Sequence, residues 1–459
     1  MLEQQPYRLA AVLAVGVAMF AGVLVGADPL LGGLLITGSL LGIAVVRWPL
    51  VGLAGLVASL VIGQLVRVPV FGGAGAVLPN DVLLPAVVVG WLMRGLLRGR
   101  LGWPSSPLSW PIATMLVVFI LTFIAGTAQL PFLTDRERLV AALYVVRWAE
   151  YAVLLLIVAD LIRRERDARR LTWWLISAAA VIAVLGFVQL KLFPDFSFMV
   201  PQGWDPHIGR LLSTWFDPNF LAGFFAFTTM LVGGIALHST GRRRLVLAVV
   251  TAVLFAAVVL TFSRSGYLSF LAGAVVLTFL KSRRLFVLLV LAAVIVVATI
   301  PRVQERVQGA IKVDATARLR LVSWQHALTV YRDYPVTGIG YNTYRYLQVD
   351  YGFIKDAAEH SAGGSDSSLL TVLVTTGPIG LVVYLWLLWA AAGVGWRAFR
   401  RGLTGFERGL GLGALAGLVS VTVHSFFVNS LLFPHIMETL ALTFGTLVGL
   451  RSVSAREAT

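Results

Sequence analysis

Fourteen apolar runs fill most of this chain, at 9–26, 30–46, 50–66, 81–97, 109–126, 139–161, 171–193, 219–238, 245–262, 266–280, 284–300, 369–396, 409–429 and 435–450. About 20 mostly apolar residues cross a bilayer as a helix, because inside hydrocarbon each backbone N–H and C=O must be satisfied within its own segment. The runs therefore predict an all-α polytopic membrane protein with about 12–14 transmembrane helices, the lower figure allowing for the short second, third and tenth runs. A chain that is 58% hydrophobic and 13% charged has no polar shell for a water-soluble globule.

Basic clusters occupy alternate gaps between these runs. They are Arg94/Arg98/Arg100, Arg163/Arg164/Arg166/Arg169/Arg170, Arg242/Arg243/Arg244, Lys281/Arg283/Arg284 and Arg397/Arg400/Arg401/Arg408. Each lies two crossings from the next, so the excess of positive charge marks one face, and the positive-inside rule makes that face cytoplasmic. Both termini are then expected in the cytoplasm, with the first run kept as a helix rather than removed as a signal peptide. A net charge of +15 would suggest nucleic acid in a soluble chain. Here orientation in the membrane accounts for it, and nucleic-acid binding is not expected. Without cysteine there is no disulfide framework, thiolate nucleophile or cysteine metal site. The strong preference for Arg over Lys, beside heavy Ala, Val, Leu and Gly, suggests a GC-rich bacterial genome and so a bacterial inner membrane.

One gap departs from the pattern by its size. Residues 301–366 form a polar stretch on the outer side, which divides the chain into helices over 1–300, an outer loop over 301–366 and C-terminal helices over 367–459. Within the loop, Ala315 to Tyr331 reads as an amphipathic helix, with Leu319, Val322, Ala327 and Val330 near a 3.6-residue period. Pro335 ends it, and the turn Gly338-Ile339-Gly340 follows.

Two arginines stand apart from the basic clusters and fall on the outer side. Arg210 precedes Asp217-Pro218-Asn219, a helix entry in which Asp217 or Asn219 can cap; the arginine is either a headgroup-level residue or an anion ligand beside a helix N-terminus. Arg264 sits in a tight turn between two apolar runs, where it either snorkels to the interface or pairs with an anion. In the sixth run Arg147 and Glu150 are three residues apart and share a helix face, a spacing that predicts a structural ion pair or, because buried charge in a membrane often marks a site, residues that support the site. Near the end of the outer loop come Glu359, His360 and Asp366. Asp366 can cap the next helix or act as a general base whose pKa partial desolvation would raise; His360 is a second candidate base beside Gly363-Gly364. His424 and His435 read as packing or interface residues. No Asp-x-Asp or His-x-x-x-His pair supports a metal site, and neither metal nor cofactor is expected; arginine alone suits a phosphate.

Four pieces in series resemble the O-antigen ligase and O-antigen polymerase superfamily. They are Gly209-Arg210 through Asp217-Pro218-Asn219; Leu260-Thr261-x-Ser263-Arg264-Ser265-Gly266; Arg320-x-x-x-Trp324 with Pro335 through Tyr344; and Asp366-Ser367-Ser368-Leu369-Leu370 with Thr376-Gly377-Pro378-Ile379-Gly380. Together they cover roughly residues 200–390. The resemblance implies a GT-C-like, lipid-dependent glycosyltransferase. Such an enzyme takes a glycan from an undecaprenyl pyrophosphate carrier on the periplasmic or extracellular face and joins it, with inversion, to an acceptor hydroxyl on a glycan or lipid-linked acceptor, with membrane lipid as a further partner. Arg210 and Arg264 match the arginines that hold the pyrophosphate, and segment 315–331, with Arg318 and Arg320, matches the helices that roof the site. Ligases of this family carry a His-Asn pair where this chain has Asp366-Ser367, a departure that favours a polymerase or exopolysaccharide branch. The alternatives are a lipid-linked glycan transporter or flippase and a peptidoglycan polymerase of the shape and division type.

Overall fold

A computed structural model describes residues 38, 40–70, 75–99, 106–202, 204–311, 315–357 and 360–457. The first apolar run, most of the second, and Glu359 lie outside the described residues. Residues 40–47, which include the end of the second run, are helical.

Each of the other twelve runs is a helix. In chain order these are α1 (Pro49–Ile62), α2 (Pro79–Leu97), α3 (Ser109–Ala128), α4 (Asp135–Leu161), α5 (Glu165–Leu192), α6 (Pro218–Ala236), α7 (Gly241–Leu260), α8 (Arg264–Lys281) and α9 (Arg283–Thr299). The long loop adds α10 (Pro301–Ile311), α11 (Ala315–Asp333) and α12 (Tyr344–Asp350), and α13 (Ser368–Arg401), α14 (Gly405–His424) and α15 (Pro434–Glu457) complete the chain. A two-stranded antiparallel hairpin, β1 (Val68–Val70) with β2 (Gly75–Val77), joins α1 to α2. Among the described residues, eight helices (α2 to α7, α13 and α14) are long and apolar enough to cross a membrane. The fold is an all-α polytopic membrane protein. α9 buries none of its side chains and leaves Val287, Leu288, Val294 and Ile295 exposed, an arrangement stable only against lipid or another apolar surface.

Helix starts follow local chemistry. Thr134 and Glu137 form a reciprocal capping box at α4, and Thr404 caps α14. Asp217 caps α6, its Oδ1 accepting from Asn219 N at 2.7 Å and Phe220 N at 3.1 Å, with Pro218 in the first turn. α6 and α14 form the centre of the bundle, with 83% and 78% of their apolar windows buried against 28% for α3 and α7. Small residues let them approach: a Cβ on Gly234 would meet Gly413 N at 2.5 Å, and one on Gly413 would meet Leu231 Cα at 2.7 Å.

The loop is locked onto α13 at a break in that helix. Gly377 has φ 67° and ψ −176°, and Pro378 lacks the N–H that would bond the Val374 carbonyl. The freed carbonyls of Val374 and Thr375 accept instead from Ile339 N at 3.1 Å and Gly340 N at 2.9 Å. Two motif pieces distant in sequence thus complete each other's backbone hydrogen bonding. In this loop α11 forms as its periodicity predicts, but only the C-terminal part of its apolar face packs: Ala327 and Val330 are buried with Ile339, Tyr344 and Leu347, whereas Leu319 is 71% exposed.

Candidate active site

Arg210 is fixed at both ends of its guanidinium. Nε donates to the Thr261 carbonyl at 2.8 Å and Nη2 to Asn219 Oδ1 at 3.2 Å. The same Asn219 oxygen accepts from Ser263 Oγ at 3.0 Å, so the loop before α6 and the turn before α8 meet at one side chain. Ser263 is the cap of α8, and Arg264 is that helix's first residue. Arg210 and Arg264 are thus brought to neighbouring segments, both half-buried, beside the N-termini of α6 and α8, where helix dipoles favour an anion. Asp217, not Asn219, is the cap of α6; Asn219 is the link.

Further side chains extend this junction. Ser263 Oγ lies 3.1 Å from Ser265 Oγ, which lies 3.2 Å from His424 Nε2; His424 Nδ1 pairs with Ser430 Oγ at 2.5 Å. His424 is therefore wired to the arginine turn across 159 residues of sequence rather than being a simple packing residue. Arg302 donates to the carbonyls of Gly209 at 2.7 Å and Ile208 at 2.5 Å and stacks 4.5 Å from the Phe262 ring, clamping the loop that carries Arg210.

Asp366 does not cap α13. Ser367 is the cap, accepting from Leu370 N, and Asp366 stands one residue outside it at φ 54°. Its carboxyl reaches the solvent-accessible surface yet is closely ringed by protein, and this desolvation raises its pKa. The Arg320 charge and a hydrogen bond with Ser323, both on α11, oppose the shift, while Asp217 and Asp205 add to it. Tyr344 lies close enough that Asp366 and burial together push its phenol up. α11, the Asp217 cap and Asp366 therefore share one electrostatic neighbourhood. Arg318 is exposed on the same helix, and His360 begins the 3-10 turn His360–Gly363.

The Arg147–Glu150 ion pair does not form. Arg147 Nη2 bonds instead to Asp81 Oδ2 at 2.6 Å and to the Ala76 carbonyl at 3.2 Å. Asp81 is already oriented by accepting from Leu78 N in the first turn of α2, which presents a fixed carboxylate that Glu150 does not match. Asp81 and Arg147 join α2 to α4, whereas Arg210 joins the loop before α6 to the turn before α8.

Backbone strain collects where these segments meet. Among the described residues the non-glycine positions with positive φ are Ser213, Phe216, Phe262, Asn342 and Asp366. All belong to the loops before α6, α8, α12 and α13. Such conformations cost of order 1–3 kcal/mol each and persist where the surroundings over-determine them, which is typical of functional sites.

Residues 247–385 match the family model for O-Antigen ligase. The matched segment runs from α7 through the long loop into α13 and includes Ser263-Arg264-Ser265, Gly338-Ile339-Gly340, Asp366 and Gly377. Arg210 and Asn219 lie before it. No curated protein matches the chain. The match supports the O-antigen ligase and polymerase superfamily, and with it an enzyme in a multi-pass membrane protein.

Proposed function

We propose that this protein moves a glycan from an undecaprenyl-pyrophosphate carrier to a sugar hydroxyl, in the manner of a polysaccharide polymerase or O-antigen ligase. The single observation that carries this reading is the junction at Asn219, which joins Arg210 to the Ser263-Arg264 turn beside two helix N-termini. Arg210 and Arg264 hold the diphosphate, and preorganised donors there stabilise the charge that develops as it leaves. The acceptor oxygen attacks the anomeric carbon from the opposite side, the bond from that carbon to the diphosphate oxygen breaks, and the acceptor's proton passes to the Asp366 carboxylate. A raised pKa makes Asp366 a stronger base than an ordinary carboxylate. His360 is the alternative base. The departure from the His-Asn pair favours a polymerase or exopolysaccharide enzyme.

The site faces the periplasm or cell exterior in this reading, with both termini cytoplasmic and residues 301–366 forming the roof over helices 1–300 and 367–459. Because the native chain has no cysteine, single cysteines placed at 207 and at 401 test the orientation directly. An impermeant thiol reagent applied to whole spheroplasts should label the first and spare the second; the reverse pattern overturns the topology. The activity test is purified protein with a lipid-linked oligosaccharide donor and a saccharide or lipid-linked acceptor. A new glycosidic bond, insensitive to chelator, is expected from the native chain, with Arg210→Ala and Arg264→Ala almost inactive and Asp366→Asn strongly slowed. Translocation of carrier lipid without a new bond selects a flippase instead. Near-normal product from both arginine variants removes the assignment.

A further inference from the structure

His424 ends α14, is 0% exposed, and lies between the two groups of residues that the proposed reaction needs in register. Its ring rests on α6 where a side chain is missing: a Cβ on Gly223 would meet His424 Nδ1 at 2.8 Å. Gly223 stands one turn after Asn219, so the imidazole and the Asn219 side chain share one face of α6. The hydrogens from Arg210 to Ser430 can each be assigned in turn. A guanidinium only donates, so the Asn219 atom that Arg210 Nη2 meets at 3.2 Å is the amide oxygen, and Ser263 Oγ, 3.0 Å from that oxygen, donates to it. Ser263 has then used its one hydrogen, and Ser265 supplies the hydrogen of the 3.1 Å contact between the two hydroxyls. Ser265 in turn can only accept from His424 Nε2 at 3.2 Å. A buried imidazolium is costly without a carboxylate bonded to it, and among the described residues His424 bonds only serines. The ring is therefore the neutral Nε2–H form, and Nδ1 accepts from Ser430 Oγ at 2.5 Å.

The far end of this chain is fastened to the segment of Asp366. Ser430 opens the 3-10 turn Ser430–Leu432, and Leu431 N donates to Ser368 Oγ at 3.1 Å. Ser368 N donates back to the Ser425 carbonyl at 2.8 Å, and Thr371 Oγ1 donates to Asn429 Oδ1 at 3.0 Å. The residues around Ser430 thus carry the start of α13, and with it Asp366, two positions before Ser368. His424 connects the segment of the base to the segment of the arginines.

We propose that His424 is a positioning residue, which holds the Asp366 segment at a set distance from the Arg210–Arg264 turn so that base and diphosphate meet one sugar in the geometry of attack. This rests on the roles given above to Asp366 and the two arginines. Reacting groups must be held to about 0.5 Å, and a misplacement of about 1 Å costs ~10²-fold in rate. Because His424 is fully buried and touches neither substrate, its effect falls on the chemical step rather than on binding.

The test compares three substitutions in the purified full chain, with turnover measured per folded molecule over a range of donor and acceptor concentrations. His424→Met keeps the bulk but offers Ser265 no hydrogen; kcat should fall ~10²-fold while KM for the lipid-linked donor and for the acceptor stays within about twofold. His424→Gln carries an oxygen to accept from Ser430 and an N–H to donate to Ser265, and should restore kcat to within about tenfold of native. Ser265→Ala cuts the chain without touching α14, which keeps the proposal testable if the methionine variant does not fold; it should lower kcat about tenfold, the equivalent of one hydrogen bond. Native kcat in the methionine or alanine variant overturns the proposal. So do equal losses in the glutamine and methionine variants, which would reduce His424 to packing, and so does a raised donor KM at unchanged kcat. The native chain runs beside them: no product from it removes the proposed function, whereas equal product from the native chain and the methionine variant removes only the role of His424.

Discussion

The two polar centres of this bundle are built in opposite ways. The first stands on loops and helix starts: Arg210, Asn219, Ser263, Ser265 and Asp366 are held by caps, by carbonyls that accept from arginine, and by positive-φ residues before α6, α8 and α13. The second stands on helical residues, Ser59, Asn80, Asp81, Arg147, Tyr151 and Glu438, with ordinary backbone and side chains that reach across helices. Strain and solvent access at the first suit a site that must receive a ligand and exchange a proton. Burial and charge pairing at the second suit a fastening between helices. The contrast teaches that buried charge in this protein falls into two classes, one expected to govern rate and the other stability.

Arg147→Ala gives the largest expected effect and tests the second class. It leaves Asp81 buried without its counter-charge and the Ala76 carbonyl without its donor, at a cost of ~3–5 kcal/mol of stability. Thermal unfolding in detergent should register that loss, while glycan transfer per folded molecule stays unchanged. Arg210→Ala should do the converse: transfer falls ~10²–10³-fold as a preorganised cation is removed from the leaving group, for a stability loss of only ~1–3 kcal/mol from its hydrogen bonds to Thr261 and Asn219. If Arg147→Ala slows transfer while Arg210→Ala merely destabilises, the two classes are one.

What could be read beforehand follows the same division. The helical fold was legible because hydrocarbon demands long apolar segments, and twelve of the runs are helices at nearly the expected bounds. The Arg210 and Arg264 segments were legible because caps and strained turns need particular residues side by side, such as Asp217-Pro218-Asn219. The second centre was not, because its partners are 66 to 379 positions apart in the chain and nothing local marks them. The expectation that Arg147 would pair with Glu150 shows the cause: spacing on one helix predicts only partners on that helix, and the oriented carboxylate of Asp81 came from another. His424 escaped for the same reason, its partner Ser265 lying on α8.

Arg320 sharpens the rate-governing class by way of pH. Burial raises the pKa of Asp366 and the Arg320 charge opposes that rise. A base acts when deprotonated, so the acid limb of transfer in the native chain should lie above the usual aspartate value of about 3.9. Arg320→Ala removes a charge that favours the carboxylate, so the limb should move to higher pH with little change in the plateau rate. A limb that stays in place, or moves to lower pH, separates Asp366 from the proton transfer.

The smallest expected effect distinguishes capping from chemistry within two adjacent residues. Ser367 accepts from Leu370 N at 3.4 Å as the cap of α13. Ser367→Ala should therefore cost ~1 kcal/mol of stability and leave most of the transfer rate. Asp366 caps nothing, and folding raises its pKa. Its ionised form is thus the one the folded state disfavours, and the associated stability is present at low pH and lost as pH rises through the folded value. At neutral pH Asp366→Asn should unfold no more easily than the native chain, and somewhat less easily if the carboxyl is then ionised, while transfer is strongly slowed. Equal stability losses from the two substitutions would mean that Asp366 contributes to the helix start after all, and the proton acceptor would then have to be sought at His360.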